Sequence, residues 1–277
     1  MTLLEILKKT EGFFRGRGLD SPRLDAELLL AHLLRCKRLD LYLQYDKPLT
    51  PAETDAYREL VRRRGNREPL QYVIGRAPFL DFEVAVRPGV LIPRPETEIL
   101  AQAVFSDNPD LSGKQILDLC TGSGVLALAL KRRYPDAAVT GSDISPDALA
   151  LARANGAGLD IEWILSDRFV ALMGRTFDLM TVNPPYVRRT DLAGLEPEVR
   201  DHEPGLALDG GEDGLDFYRA FLNEAPAYLA AGGRAYLEMG AGQVVAVTGL
   251  AQEAGFLVVR VEKDLSGIER VAVLQQG

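Results

Sequence analysis

Apolar residues recur at helical spacing through the first seventy positions: Leu3, Leu4, Ile6 and Leu7, then Phe13 and Phe14, then Leu24, Leu28, Leu29 and Leu33. That period predicts short amphipathic helices packed as a small bundle. Ser21-Pro22 places a capping side chain before a proline at the first helical position. Thr50-Pro51-Ala52-Glu53 reads as a capping box, in which the threonine reaches an amide three residues on and the glutamate reaches back, and Gly65 is expected to stop that helix. Near residue 82 the period drops to two. Phe82, Val84 and Val86 alternate with Glu83, Ala85 and Arg87, the pattern of a short hairpin. Further on, strands at 115–119, 138–142, 161–165 and 179–182 alternate with helices at 125–134 and 146–155, which predicts a parallel sheet covered on both faces. After a strand at 235–238 and a helix at 243–254, the last strands, 256–261 and 271–274, are joined by only about nine residues. That is too short for a helical crossover, so the final pair is expected to be antiparallel and the sheet to hold seven strands.

With 47% hydrophobic and 26% charged residues, the chain can bury a substantial core. No apolar run approaches the ~18 residues needed to span a bilayer, and Lys8 and Lys9 sit where a secretory signal would be apolar. A soluble cytoplasmic monomer with no membrane partner is expected. Cys36, Cys120, His32 and His202 lie far apart in sequence, so neither a disulfide framework nor a metal site is expected. The net charge of −8 is uneven, mildly basic over the first 75 residues and acidic beyond them. An acidic catalytic region disfavours direct contact with DNA and leaves a neutral or protein substrate open.

Two constellations carry candidate chemistry. Asp118-Leu119-Cys120-Thr121-Gly122-Ser123-Gly124 follows a strand and opens a helix, where glycines let a ligand approach the backbone. Asp143 ends the next strand, where a carboxylate can accept both ribose hydroxyls of an adenosine group. Cys120, Thr121, Gly122, Ser123 and Gly124 are thus candidate cofactor contacts with Asp143, although the same loop also fits a dinucleotide fingerprint. Cys120 reads as packing more than as a nucleophile, since no base lies near it. Asp167, after the third strand, can accept from an adenine amino group or cap a helix.

Asn183-Pro184-Pro185-Tyr186 follows the fourth strand, at the carboxyl edge where ligands of open α/β sheets bind. Each proline fixes φ and restrains the residue before it, so the Asn183 side chain and the Pro184 carbonyl are held in set directions. An amide nitrogen is a poor nucleophile because its lone pair is delocalised. Two oxygen acceptors binding its two N–H groups favour a pyramidal nitrogen facing a sulfonium methyl, and they act mainly in the transition state. Asn183, Pro184 and Tyr186 are the candidate catalytic residues, Pro185 joins them in binding the substrate, and Tyr186 is expected to stack on the amide plane. The bland alternative is that Asn-Pro-Pro is merely a turn.

These residues resemble the release-factor glutamine methyltransferases, also called PrmC or HemK, over nearly the whole chain. The resemblance is carried by Asn183 to Tyr186, by Leu91-Ile92-Pro93-Arg94-Pro95-Glu96-Thr97-Glu98, by Gln71-Tyr72-Val73-Ile74-Gly75, and by Glu203-Pro204, Ala207-Leu208, Gly210-Gly211 and Asp213-Gly214-Leu215. It implies a class I methyltransferase (Rossmann-like) fold, with S-adenosyl-L-methionine as cofactor and S-adenosyl-L-homocysteine as product. It implies class I peptide chain release factors as partners, methylated on the glutamine nitrogen of their Gly-Gly-Gln loop. It also implies an N-terminal docking bundle over residues 1–75, a hairpin linker over 76–93 and a methyltransferase domain over 94–277.

Where relatives of that family often carry tryptophan after the Ser166-Asp167 pair, this chain has Arg168, a further candidate cofactor contact. The loop from Asp264 to Arg270 reads as structural. The basic run Arg62, Arg63, Arg64 and Arg67 reads as a solvated helix face, with an acidic partner or ribosomal RNA as the alternative. Arg94 and Glu96 are candidates for ordering the mouth of the site. Competing functions are an adenine-N6 nucleic-acid methyltransferase, which needs a way to extract its base, and a non-catalytic module that binds a translation factor.

Overall fold

The computed structural model describes all of residues 1–277. The chain divides into two units, one formed by Met1–Arg76 with Glu196–His202, the other by Ala77–Leu195 with Glu203–Gly277.

The first unit holds α1 (Leu3–Gly16), α2 (Pro22–Leu34), α3 (Arg38–Tyr42), α4 (Pro51–Gly65) and α5 (Leu70–Ile74), together with a later short helix at 197–202. Thr2 and Thr50 both form capping boxes, with Glu5 and Glu53. Ser21 precedes Pro22 as expected but makes no side-chain cap. The predicted stripe on α2 needs correcting. Leu24 is exposed and Leu28 and Leu33 are only half-buried, whereas Ala26, Leu29 and Leu30 fill the core beside Leu3, Phe14 and Tyr57. Phe13 is also largely exposed, its ring lying over Gly65, where an added Cβ would come within 2.5 Å of it. Gly65 therefore makes room for a ring as well as standing at the end of α4.

The basic run is not a solvated face. Arg62 is exposed and pairs with Glu59, but Arg63 pairs with Glu68, and Arg64 is buried between Asp25 (2.7 Å) and Glu198 (2.8 Å). Arg67 reaches Glu198 as well. A buried charge survives only when paired and hydrogen-bonded, which is why acidic residues accompany this arginine indoors.

The second unit begins at Ala77, inside the first strand of a hairpin formed by β1 (Arg76–Phe79) and β2 (Phe82–Ala85). Asn155 clasps β2 by accepting from the Ala85 N–H and donating to the Ala85 carbonyl. Next come α6 (Pro95–Asp107), β3 (Gln115–Leu119), α7 (Val125–Arg133), β4 (Ala138–Asp143), α8 (Pro146–Asn155), β5 (Ile161–Leu165) and β6 (Phe177–Val182). The short helix α9 (Pro197–His202) belongs to the first unit, and the second resumes with α10 (Asp216–Glu224), β7 (Leu229–Glu238), α11 (Val244–Glu253), β8 (Phe256–Lys263) and β9 (Glu269–Gln276).

Seven strands form one sheet in the order β5-β4-β3-β6-β7-β9-β8. The first five run parallel, and β9 lies antiparallel between β7 and β8. Asp264 closes the β8–β9 turn by accepting from the Ser266 and Ile268 amides and from Arg270. Strand order reverses at β3, whose neighbours are β4 on one side and β6 on the other. That switch point opens a crevice at the carboxyl ends of β3 and β6, where the glycine loop and Asn183 emerge. The core beneath is built from Leu117, Leu119, Met180, Val182, Leu237 and Ala272, with Phe169 and Phe221. No helix is long and apolar enough to cross a membrane.

Candidate active site

The glycine loop is held from below. Asp118, fully buried at the end of β3, accepts from Thr121 Oγ1 (2.5 Å), the Ala127 N–H (3.1 Å) and Thr181 Oγ1 (2.9 Å). One carboxylate thus ties β3, the loop, the first turn of α7 and β6 together. Burial pushes its pKa up to about 6, opposed by those three donors. Cys120, Gly122 and Gly124 all take positive φ, 60°, 56° and 88°. Trp163, the single tryptophan, packs against Gly124, Gly141 and Gly156 and supports the loop from the sheet side. At Gly141 a Cβ would stand 2.4 Å from the indole.

Asp143 faces the same loop. Its Oδ2 accepts the Gly122 N–H at 2.8 Å and its Oδ1 the Ser145 N–H at 2.9 Å. Burial raises its pKa, and the Ser145 and Gly122 amides oppose that rise.

Cys120, Gly122, Asp143, Asp167, Arg168, Asn183 and Pro185 line one cavity of about 270 Å³, whose remaining wall includes Val90, Ile144, Leu206 and Phe217. A mostly apolar hollow with a few convergent polar groups suits a small organic ligand. Thr121, Ser123 and Gly124 do not line it. Thr121 turns its hydroxyl down to Asp118, the Ser123 carbonyl accepts from Asn155, and Gly124 abuts Trp163. The Cys120 thiol is raised well above its ordinary pKa by burial, then by Asp143 and Asp118, which leaves it protonated and inert. Arg168 adopts φ 47° and engages Glu224 and Asp167 at 3.0 Å each, so Asp167 already holds one donor.

A second, smaller cavity of about 50 Å³ is lined by Pro184, Tyr186, Arg94 and Glu238 and shares Leu91, Asn183 and Ala207 with the first. Asn183 therefore stands in the wall common to both. Its amide Nδ2 donates to Thr97 Oγ1 at 3.0 Å, which points Oδ1 the other way. Tyr186 is deeply set, with its hydroxyl 3.4 Å from Glu238 Oε1. Its backbone is clamped: Gln243 donates to the Tyr186 carbonyl at 2.9 Å, and Gly210 and Gly214 pack so closely against Tyr186 that a Cβ on either would overlap its main chain. Arg94 and the Ile92 N–H both donate to buried Glu203, which secures the segment before α6. Glu96 pairs with Arg270 at 3.7 Å.

Three buried residues of this arrangement were not foreseen from the sequence: Thr97, Glu238 and Gln243. Glu238 had a signal, a charge closing the otherwise apolar run Ala235-Tyr236-Leu237 at the same sheet edge as Asp143 and Asn183. It is entirely buried, its Oε2 has no hydrogen-bond partner, and burial pushes its pKa up to about 7. The Thr97 and Tyr186 hydroxyls and Arg270 favour its ionised form, and Glu96 opposes it.

Residues 5–75 match the model of the PrmC N-terminal domain, and residues 95–194 that of the methyltransferase small domain. The release factor glutamine methyltransferase of Geobacter sulfurreducens is 42% identical over 98% of this chain and 95% of its own length. That of Thermodesulfovibrio yellowstonii is 40% identical over 91% of this chain and 92% of its own. A solved methyltransferase from Pyrococcus furiosus, 17% identical, shares the fold with a TM-score of 0.53 over 70% of this chain and 88% of that one. With such identity sustained along almost the entire sequence, the chain belongs to the release factor glutamine methyltransferase family.

Proposed function

We propose that this chain uses S-adenosyl-L-methionine to methylate the side-chain nitrogen of a glutamine in class I peptide chain release factors, within their Gly-Gly-Gln loop. The observation that carries the reading is the position of Asn183, in the wall shared by a cofactor-sized cavity and a small side pocket, with its amide fixed by Thr97.

The larger cavity fits the cofactor on its own terms. Asp143 supplies a carboxylate suited to ribose hydroxyls, Gly122 permits close approach of the backbone, and the apolar wall suits an adenine ring. Bound there, S-adenosyl-L-methionine supplies an electrophilic sulfonium methyl. The chain's own task is to make an amide nitrogen attack. Asn183 Oδ1 and the Pro184 carbonyl are the proposed acceptors for its two N–H groups. As the nitrogen gains positive charge these bonds strengthen, so they lower the barrier more than they favour the bound substrate. Their rigidity limits reorganisation during the reaction, since both prolines and the Gln243 clamp fix the loop beforehand.

Thr121, Ser123 and Gly124 act in this reading by shaping the loop, and Tyr186 by walling the acceptor pocket. The N-terminal unit, which has a core and an ion-pair network of its own, is proposed to dock the release factor. Action as a monomer in the cytoplasm, without direct DNA contact, completes the proposal. Membership of the release factor glutamine methyltransferase family and the net charge of −8 support it.

Intact-mass analysis of a release factor after incubation with the chain and the cofactor, followed by peptide mapping, tests reaction and substrate together. One added methyl on the glutamine is expected. No gain in mass, or label from the cofactor appearing only on DNA, overturns the reading.

A further inference from the structure

The segment after β5 turns sharply at Arg168. Its φ of 47° lies in the left-handed region, which a residue with a Cβ adopts only where its neighbours hold it there. Ser166 does so with one hydroxyl, which donates to the Arg168 carbonyl at 2.7 Å and accepts the Ala171 N–H at 3.0 Å. The turn separates consecutive side chains. Phe169 goes into the core, its ring stacked 4.4 Å from that of Tyr228, while Asp167 and Arg168 line the larger cavity.

Arg168 is anchored from outside the turn as well. Its Nε donates to Glu224 Oε1, at the end of α10, and its Nη1 to Asp167 Oδ1, both at 3.0 Å. Of the two roles open to Asp167 in the sequence, the helix cap is not taken, since the short helical turn Val170–Leu172 has no side-chain cap. Asp167 Oδ2 accepts no hydrogen bond from the chain. One oxygen is thus held by a donor that is itself braced, and the other is left for a ligand.

We propose that Arg168, braced against Glu224, is a positioning residue that holds Asp167 to accept the exocyclic amino group of adenine, given the larger cavity as the cofactor site read above. A carboxylate paired with arginine accepts and does not donate, so it suits an amino group and gains nothing from a purine that lacks one. Asp167 is 53% exposed, and without a partner such a side chain spreads over several rotamers and turns its oxygens to water. Exposed ion pairs add little to stability, so what the bridge supplies is an orientation fixed before the cofactor arrives. The planar guanidinium suits the task because its separate edges meet two carboxylates at once. Phe217 of the same helix as Glu224 lines the cavity too, so α10 reaches the site both through its wall and through this brace.

The test is calorimetric binding, by the full chain, of S-adenosylhomocysteine and of its analogue carrying purine in place of adenine, which lacks only the amino group. It is run for the native chain, Asp167→Ala, Arg168→Met and Glu224→Ala, with urea melts to show that each variant folds. The native chain is expected to prefer the adenine ligand by ~10- to 100-fold, the range of a hydrogen bond to a charged group. In Asp167→Ala that preference should all but vanish. Arg168→Met and Glu224→Ala are expected to lower it by ~3- to 10-fold, the scale of immobilising one side chain, through weaker binding of the adenine ligand alone. A change that merely disturbed the wall would weaken both ligands alike and leave the preference as it was. The native preference surviving in Arg168→Met overturns the proposal, and so does a native chain that binds the two ligands equally while still binding both. If Arg168→Met does not fold, Glu224→Ala decides by the same criterion. A native chain that binds neither ligand overturns the reading of the cavity as the cofactor site, and this inference falls with it.

Discussion

Gly122 donates its backbone N–H to Asp143 Oδ2 at 2.8 Å, so the glycine loop after β3 and the carboxylate ending β4 form one hydrogen-bonded unit. Each oxygen of that carboxylate already holds one backbone amide, which fixes its plane and leaves its remaining lone pairs for two ribose hydroxyls. Asp143→Ala removes those acceptors and releases the loop. The expected result is a loss of ~10- to 100-fold in S-adenosylmethionine affinity by calorimetric titration, the scale of one or two charge-assisted hydrogen bonds. Undiminished affinity would place the ribose elsewhere.

Asn183 is expected to behave in the opposite way. Asn183→Ala deletes an acceptor that matters most as the nitrogen becomes positive, so turnover should fall by on the order of 10² to 10³ with a much smaller change in cofactor affinity. Single-turnover kinetics beside equilibrium titration separates the two effects. Equal losses in both would make Asn183 a cofactor ligand and not a catalytic one.

The contrast between these residues shows what was readable in the chain. Asp143, the glycine loop and Asn183 each close a strand whose apolar pattern is local, and the short β8–β9 connection forced the antiparallel ending. Thr97 and Glu238 lie 86 and 55 positions from Asn183, on elements whose approach only the folded sheet determines. Periodicity also gave α2 an apolar stripe but misplaced its buried side. Asp25 and Glu27 go indoors because buried Arg64 meets Asp25 there, while Arg23 and the Tyr42 hydroxyl reach Glu27 from the surface, and hydrophobicity does not encode such partners.

Gly141 isolates packing from backbone strain, since its φ is ordinary while its missing Cβ makes room for Trp163. Gly141→Ala should therefore cost about 1–3 kcal/mol, as overpacking does. Trimming the ring with Trp163→Leu in the same chain should recover part of that cost. Denaturant melts of the four chains measure the coupling, and additive costs would show that the indole is not what Gly141 accommodates.

The raised pKa of Glu238 also has a consequence for stability. Its folded value, about 7, lies above the ordinary 4.5, so the folded chain holds the proton more tightly than the unfolded chain does. The stability this gives is fully present below pH 4.5, declines as pH rises, and is gone above about 7. Relative to Glu238→Gln, which does not titrate, the native chain should lose on the order of 3 kcal/mol across that window. Urea melts of both chains at pH 4.5, 6 and 8 would show it, and a constant difference would mean that Glu238 binds its proton equally well in the folded and unfolded chains.

Arg64 is the one arginine of its run that is buried, with Asp25 at 2.7 Å and Glu198 at 2.8 Å. Burial raises the Asp25 pKa, and Arg64 is the chief group opposing that rise. Arg64→Ala leaves a desolvated carboxylate without its cation, for which about 3–5 kcal/mol of destabilisation is expected near pH 8. With the cation gone, burial acts on Asp25 almost unopposed and its pKa climbs further, so the group can escape the penalty by taking up a proton. The cost should accordingly shrink as pH falls toward 5, a range over which the cost of losing a simple surface ion pair would stay constant. Replacing Arg64 by Met together with Asp25 by Leu removes both charges at similar volume and should recover most of the loss. Hydrogen exchange on α2 and α4 over this pH range reads the effect within the first unit. A cost that is small at pH 8, or unchanged between pH 8 and 5, would show that Glu198 and water, and not Asp25, are what Arg64 serves.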